Sequence, residues 1–202
     1  MRRVGVTQRV TVDHDHGGVH SDVLDQRWYA FLRECGLLPV PLPNDADTAV
    51  RTVAELPVDG VLITGGNDLV DYGGDAPERD ATEAALVATA LRCDVPLLGV
   101  CRGMQVLQHF FGVPLERVAG HVTARQTLTV DGRRRVVNSY HNWAATSTAR
   151  PLRPWVVGPD EVVKAVRHDT APVLGIMWHP ERITPFADED RCLFRRHFLE
   201  ER

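Results

Sequence analysis

At 202 residues, 44% of them hydrophobic and 25% charged, the chain is long enough to bury a core without disulfides or a structural metal. A formal net charge of −4 lacks the basic footprint of a nucleic-acid binder, and the longest apolar run, Val95 to Val100, has six residues, far short of a membrane span. Cys35, Cys93, Cys101 and Cys192 fit a reduced, cytoplasmic protein better than a disulfide-stapled one, and no apolar signal-peptide core follows the basic residues near Met1.

Arg3 to Val10 is expected to form a first strand. Ser21 is a candidate N-cap for a helix through Cys35, because Val23, Leu24, Trp28, Phe31 and Leu32 recur near a 3.6-residue period and Gly36 stops it. Leu37 to Leu42 is short, apolar and proline-edged, as a strand near a sheet edge would be. Ala46 to Leu56 reads as a short helix, Val58 to Thr64 as a buried strand ending in Gly65-Gly66, and Glu78 to Cys93 as a helix. Val95 to Val100 is the most apolar strand. Cys101 follows it and opens a helix with Met104, Leu107 and Phe111 on one face and Gly112 as its stop. Further on, Asp131-Gly132 predicts a hairpin turn between alternating runs. Glu161 to Val166 and Val173 to Trp178 are two more strands, and Asp188 to Leu199 is a closing amphipathic helix. Strand-length apolar runs alternating with helical periods predict one domain over residues 1–202, α/β and doubly wound around a mostly parallel sheet.

Three segments carry candidate chemistry. In Gly99-Val100-Cys101-Arg102-Gly103 a buried strand runs into a helix with a glycine two residues to either side of a cysteine, the arrangement of a nucleophile elbow. Such a turn exposes Sγ at the strand's carboxyl end, at a helix N-terminus that favours a thiolate, and makes the N–H of Arg102 one candidate oxyanion donor. A buried core cysteine is the bland reading of the same residues. In Trp178-His179-Pro180-Glu181, residues two apart in an extended segment point to one side, so Glu181 can orient the His179 ring. In Thr64-Gly65-Gly66-Asn67-Asp68 a strand ends in two glycines at the sheet edge expected to hold Cys101, and Gly66 is the second candidate oxyanion donor.

Together these segments resemble the class I glutamine amidotransferase superfamily, and within it the peptidase-like branch of free-standing γ-glutamyl hydrolases that includes the γ-glutamyl-γ-aminobutyrate hydrolases. Gly65-Gly66-Asn67-Asp68 with Tyr72-Gly73, Arg79-Asp80 with Glu83, the Cys101 elbow through Gln105, Val137-Asn138-Ser139-Tyr140-His141 and Trp178-His179-Pro180-Glu181 match the branch's motifs in order. The resemblance implies a flavodoxin-like fold, a Cys101–His179–Glu181 triad and a γ-glutamyl thioester, with no cofactor and no metal. It implies a small-molecule γ-glutamyl substrate held by Gly65, Asn67, Gln105, Asn138, Ser139 and His141, no nucleic-acid or membrane partner, and leaves a homodimer open. His141 has a structural role as its alternative. A glutaminase subunit supplying ammonia to a synthetase is the alternative activity, and Arg102 after the nucleophile speaks for the hydrolase.

The departures lie around the leaving group. His141-Asn142-Trp143 stands for the branch's H-H-Q, Met177 for a Gln, and Lys164 for a Glu. The opening Gly5-Val6-Thr7-Gln8-Arg9 and the Tyr140-His141-Asn142-Trp143 segment look closer to the smaller γ-glutamyl-CDP-amidate hydrolases. For a nucleotide-linked amidate, Lys164 and Arg133-Arg134-Arg135 are candidate phosphate contacts; solvated positions away from the cleft are the other reading. Asp13-His14-Asp15-His16 with His20 are metal-ligating residue types in a polar loop where no metal is required.

Overall fold

The computed structural model describes residues 1–200. In chain order its first elements are β1 (Arg2–Val6), β2 (Arg9–Asp13), β3 (Val19–Val23), α1 (Arg27–Glu34), β4 (Leu37–Pro41), α2 (Ala46–Glu55) and β5 (Gly60–Ile63). There follow α3 (Pro77–Cys93), β6 (Leu97–Val100), α4 (Arg102–Phe110), β7 (Glu116–Arg117), β8 (Val122–Val130), β9 (Arg133–Tyr140) and β10 (Trp143–Ala144). The last are β11 (Leu152–Val157), β12 (Val163–His168), β13 (Val173–Ile176) and α5 (Asp188–Leu199).

Seven strands form one sheet in the order β11-β12-β13-β6-β5-β1-β4. The five from β13 to β4 are parallel, and β12 and β11 extend one edge antiparallel. Residues alternate between two cores, as a sheet covered on both faces requires. Leu62, Leu98, Val100 and Ile176 pack with Trp28, Phe31 and Leu32 of α1 and Phe194 and Phe198 of α5. Val61, Ile63 and Leu97 face the other way, onto Ala49 and Val53 of α2, Leu86, Val87 and Ala90 of α3, and Met104 and Leu107 of α4. Phe31 and Phe194 meet edge to face with centroids 4.8 Å apart, and Phe198 is fully buried beside them. Burying each such side chain stabilises the fold by about 1.5–3 kcal/mol.

The expected strand from Arg3 to Val10 is two strands. The chain leaves the sheet at Thr7, whose N–H donates to Leu62 O at 3.0 Å and whose Oγ1 donates to buried Glu83. β2 then pairs with β3 in an exposed hairpin turned by Gly17 and Gly18, both at positive φ. Ser21 therefore lies inside a strand and caps nothing. Helix α1 starts at Arg27, whose N–H donates to Asp25 Oδ1 at 3.0 Å. Asp25 ends the extended run by satisfying a backbone donor that no helical turn yet supplies. At the other end of the sheet, β11 is a strand that hydrophobic patterning did not mark; its Pro154 is tolerated because β11 is an edge. β8 and β9 form the expected hairpin around Asp131-Gly132, outside the main sheet, and its β9 end brings residues 137–140 toward the carboxyl ends of the parallel strands.

Candidate active site

β13, β6 and β5 are neighbours, and their carboxyl ends carry His179, Cys101 and Gly65-Gly66 at one edge of the sheet. Cys101 has φ 53° and ψ −105°, a backbone state that costs a non-glycine residue about 1–3 kcal/mol. Its N–H donates to Ile176 O at 2.7 Å, and its Sγ lies 3.8 Å from Tyr140 O. The two flanking glycines permit backbone-on-backbone packing: a Cβ on Gly99 would stand 2.5 Å from the Gly103 carbonyl, and one on Gly103 would overlap Ile63 O. A Cβ on Gly65 would stand 2.7 Å from His179 Cε1 and 3.6 Å from Cys101 Cβ, so three separate segments converge on one point.

His179 Nδ1 lies 2.7 Å from Glu181 Oε1, and both side chains are buried. This contact does not come from an extended strand as expected. β13 ends at Ile176, His179 is extended, and Pro180–Arg182 is a single 3-10 turn that folds the carboxylate back onto the ring. With Glu181 on Nδ1, the neutral tautomer is the one with a free Nε2, and Nε2 has no hydrogen-bond partner among the described residues. Burial works against a charged ring, yet the neighbouring Cys101 sulfur, followed by Glu181, outweighs it and raises His179 to about 9. The arrangement holds the Cys101 sulfur, the His179 ring and the Glu181 carboxylate together at the mouth of a strand-to-helix turn.

The peptidase C26 family profile matches residues 3–131 and 121–181 of this sequence. The chain belongs to the peptidase C26 family. γ-Glutamyl-CDP-amidate hydrolase of Campylobacter jejuni is 27% identical over 184 residues, covering 89% of this chain and 90% of that protein. A glutamine-hydrolysing GMP synthase subunit of Methanothrix thermoacetophila is 29% identical over 136 residues, covering 63% of this chain and 72% of that protein. In fold, the chain matches a glutamine amidotransferase of Thermotoga maritima with a TM-score of 0.71 at 16% identity, over 96% of this chain and 82% of that one. The peptidase C26 chain is thus an enzyme, an amidohydrolase in the γ-glutamyl hydrolase branch of the class I glutamine amidotransferase-like superfamily.

Cys101 opens on a cleft of about 290 Å³ walled by Gly66, Arg102, Gln105, Tyr140 and His141 among others. Several residues expected to touch substrate are otherwise engaged. Asn138 is buried, and its amide holds the His179 backbone from both sides: Oδ1 accepts the N–H at 2.7 Å and Nδ2 donates to the carbonyl at 2.8 Å. Ser139 is buried and absent from the cleft lining. Asn67 lines the cleft, but its side chain ties down the β2 hairpin, accepting Val10 N–H at 2.9 Å and donating to Val10 O at 3.0 Å. His141 also lines it, with both ring nitrogens taken, Nδ1 by Trp143 O at 3.1 Å and Nε2 by Lys164 Nζ at 3.0 Å. Gln105 donates through Nε2 to Trp143 O at 2.7 Å, which leaves its carbonyl oxygen for a ligand. Asp68, Tyr140 and Asn142 line the cleft without having been singled out. Asp68 and Tyr140 lie within matched motifs and Asn142 directly follows one, and that placement was the available signal.

Lys164 is neither a cleft cation nor a solvated one. It is 1% exposed, and its Nζ sits 2.7 Å from His121 Nδ1 as well as against His141. The ammonium donates to both rings, which are therefore neutral, and His121 Nε2–H turns to Asp160 Oδ2 at 2.9 Å. Burial and then the Lys164 charge depress both imidazoles, His141 to about 3. Burial likewise lowers Lys164, to about 8. Arg133, Arg134 and Arg135 line a different cavity, of about 590 Å³, whose lining includes none of Cys101, His179 and Glu181; Arg135 pairs with buried Asp190 at 2.9 Å. Asp13 and His16 pair with each other on the exposed hairpin and His20 pairs with Glu78. Among the described residues no group of three or more His, Cys, Asp and Glu side chains could hold a metal ion. No described helix is long and apolar enough to cross a membrane.

Proposed function

We propose that this single-domain chain hydrolyses γ-glutamyl amides with Cys101 as nucleophile. The observation that carries this reading is the His179 ring standing beside Cys101 at the Gly65 turn while Glu181 holds its Nδ1 at 2.7 Å. The Cys101 proton rests on His179, whose charged form the pair favours, and Sγ bonds to the γ-carbonyl carbon as the carbonyl electrons move onto oxygen. The N–H groups of Gly66 and Arg102, at the sheet edge and the start of α4, receive that oxyanion. On collapse the C–N bond breaks, His179 gives its proton to the departing nitrogen, and a γ-glutamyl thioester remains. Water then loses a proton to His179, adds to the thioester carbon, and releases glutamate with the Cys101 thiol restored.

The substrate is a small molecule with a γ-glutamyl head in the cleft of Cys101 and Gln105. Its leaving group is either an amine or the nucleotide amidate named for the Campylobacter relative. The ammonia-supplying glutaminase is the second reading, carried by the likeness to the Methanothrix GMP synthase. Incubating the purified chain with glutamine, with γ-glutamyl amines and with a γ-glutamyl nucleotide amidate, and quantifying glutamate, separates these. Turnover of an amine or amidate conjugate well above that of glutamine is the expected result. Turnover of glutamine alone, and only with a synthetase added, would replace the hydrolase with the glutaminase.

A further inference from the structure

Beneath the Gly65-Gly66 turn lies a side chain that takes no step in that reaction. Arg79, at the start of α3, is 0% exposed, and each arm of its guanidinium is engaged. Nε donates to Glu83 Oε1 at 2.9 Å and Nη1 to Asn67 Oδ1 at 3.1 Å. Nη2 donates to the carbonyl oxygens of both Thr64 and Gly65, each at 3.0 Å. Glu83 is held in turn by Thr7 Oγ1 at 2.8 Å and by Arg102, which also pairs with Asp80. Thr64 N–H donates to Thr7 Oγ1 at 3.1 Å, so the chain entering the turn is pinned on both sides.

Peptide planarity carries these bonds into the cleft. In a trans peptide the C=O and N–H point in opposite directions. Gly65 O and Gly66 N–H belong to one peptide unit, so holding the oxygen on Arg79 turns the N–H away from the buried network. Gly66 lines the cleft with Cys101, and among the described residues its N–H has no acceptor. A peptide between two glycines lacks the Cβ atoms that would otherwise restrict its rotation, so its orientation needs an outside restraint.

We propose that Arg79 is a positioning residue that sets the oxyanion hole, holding the Thr64 and Gly65 carbonyls so that Gly66 N–H is directed at the reacting carbonyl oxygen on Cys101. The oxyanion itself rests on the hydrolase reading; the peptide orientation does not. Arginine suits the task because one rigid planar fork reaches two adjacent carbonyls, an amide and a carboxylate, whereas lysine offers a single point of donation.

The test is Arg79→Lys, which keeps the charge that Glu83 requires and loses the fork. Expected are a fall in kcat of about 10²- to 10³-fold, the effect of one oxyanion donor, with KM nearly unchanged and Cys101 alkylated by iodoacetamide at the wild-type rate. A crystal structure of the variant should show the Gly65–Gly66 peptide rotated. Wild-type kcat, a parallel loss of alkylation, or a crystal structure with Gly66 N–H still directed into the cleft each overturns the proposal. If the wild type turns over no γ-glutamyl amide, the hydrolase reading fails and the peptide orientation in the variant alone decides the role of Arg79. Should Arg79→Lys not fold, the Arg79→Gln/Glu83→Gln pair, which removes opposite charges together, is read in the same way.

Discussion

On one side of the cleft, the ends of β5 and β6 meet the start of α4 backbone against backbone at Gly99 and Gly103, Gly65 leaves no room for a Cβ beside the His179 ring, and Arg79 grips two carbonyls from below. Behind the other side, buried side chains of β9 and β12 do the holding: the Asn138 amide on the His179 backbone, and Lys164 between His121 and the lining residue His141. The first wall places the reacting atoms through main-chain geometry that one added methyl group disrupts. The second is held by hydrogen bonds that side chains make, to the main chain at Asn138 and to two rings at Lys164.

The comparison is broken most severely at Cys101. Cys101→Ala should abolish glutamate release, by about 10⁴- to 10⁶-fold, with the far-UV spectrum and Tm close to wild type. Activity near wild type would remove the elbow from the mechanism. Next is Gly65→Ala, whose methyl carbon would lie 2.7 Å from His179 Cε1. The ring is held by Glu181 and its backbone by Asn138, so it cannot retreat freely. A displacement on the scale of an ångström should lower kcat by about 10²-fold, read by steady-state kinetics, while a stability loss without a kinetic one would place the clash elsewhere.

The second wall should respond more gently. Asn138→Ala strands a buried N–H and a buried carbonyl of His179, each a loss of about 1–3 kcal/mol. Chemical denaturation should show that loss along with a smaller drop in kcat than Gly65→Ala gives. Asn138→Asp keeps the acceptor and loses the donor, and should fall between wild type and Ala. If Asp and Ala behave alike, the Nδ2 contact to His179 O is of no consequence.

The smallest effect is a matter of pH. Burial lowers Lys164 to about 8 from its ordinary 10.5, so between those values the unfolded chain binds more protons there than the folded one. By linkage, stability from this group rises with pH across that window and the penalty is fully present below pH 8, up to about 3 kcal/mol. Lys164→Met should remove that rise. Unfolding curves at pH 7.5 and 10 that respond identically in wild type and variant would show that the ammonium is not disfavoured by its site.

The two walls were legible in the sequence to different degrees. Glycines spaced around a cysteine, a Gly-Gly at a strand end and His-Pro-Glu after another strand are short-range patterns, each with one dominant steric meaning. They marked Cys101, His179, Glu181, Gly65 and Gly66, and the structure brings them to one edge of the sheet. The β2–β3 hairpin was hidden because Val23, Leu24 and Trp28 have helical spacing, although only Trp28 is helical; the Gly17-Gly18 turn that overrides it is a local signal outweighed by a longer one.

The sequence by itself determined the alternation of strands and helices, the parallel sheet and the location of the elbow, because periodicity and glycine sterics act over a few residues. Only the tertiary structure decided what the polar side chains do. Asn138 holds the His179 backbone across 41 residues of chain, and Lys164 meets His141 across 23 and His121 across 43. An amide or ammonium has no intrinsic destination. Its partner is whichever buried group the fold places within about 3 Å, since leaving either group unpaired in the interior costs more than the bond itself contributes.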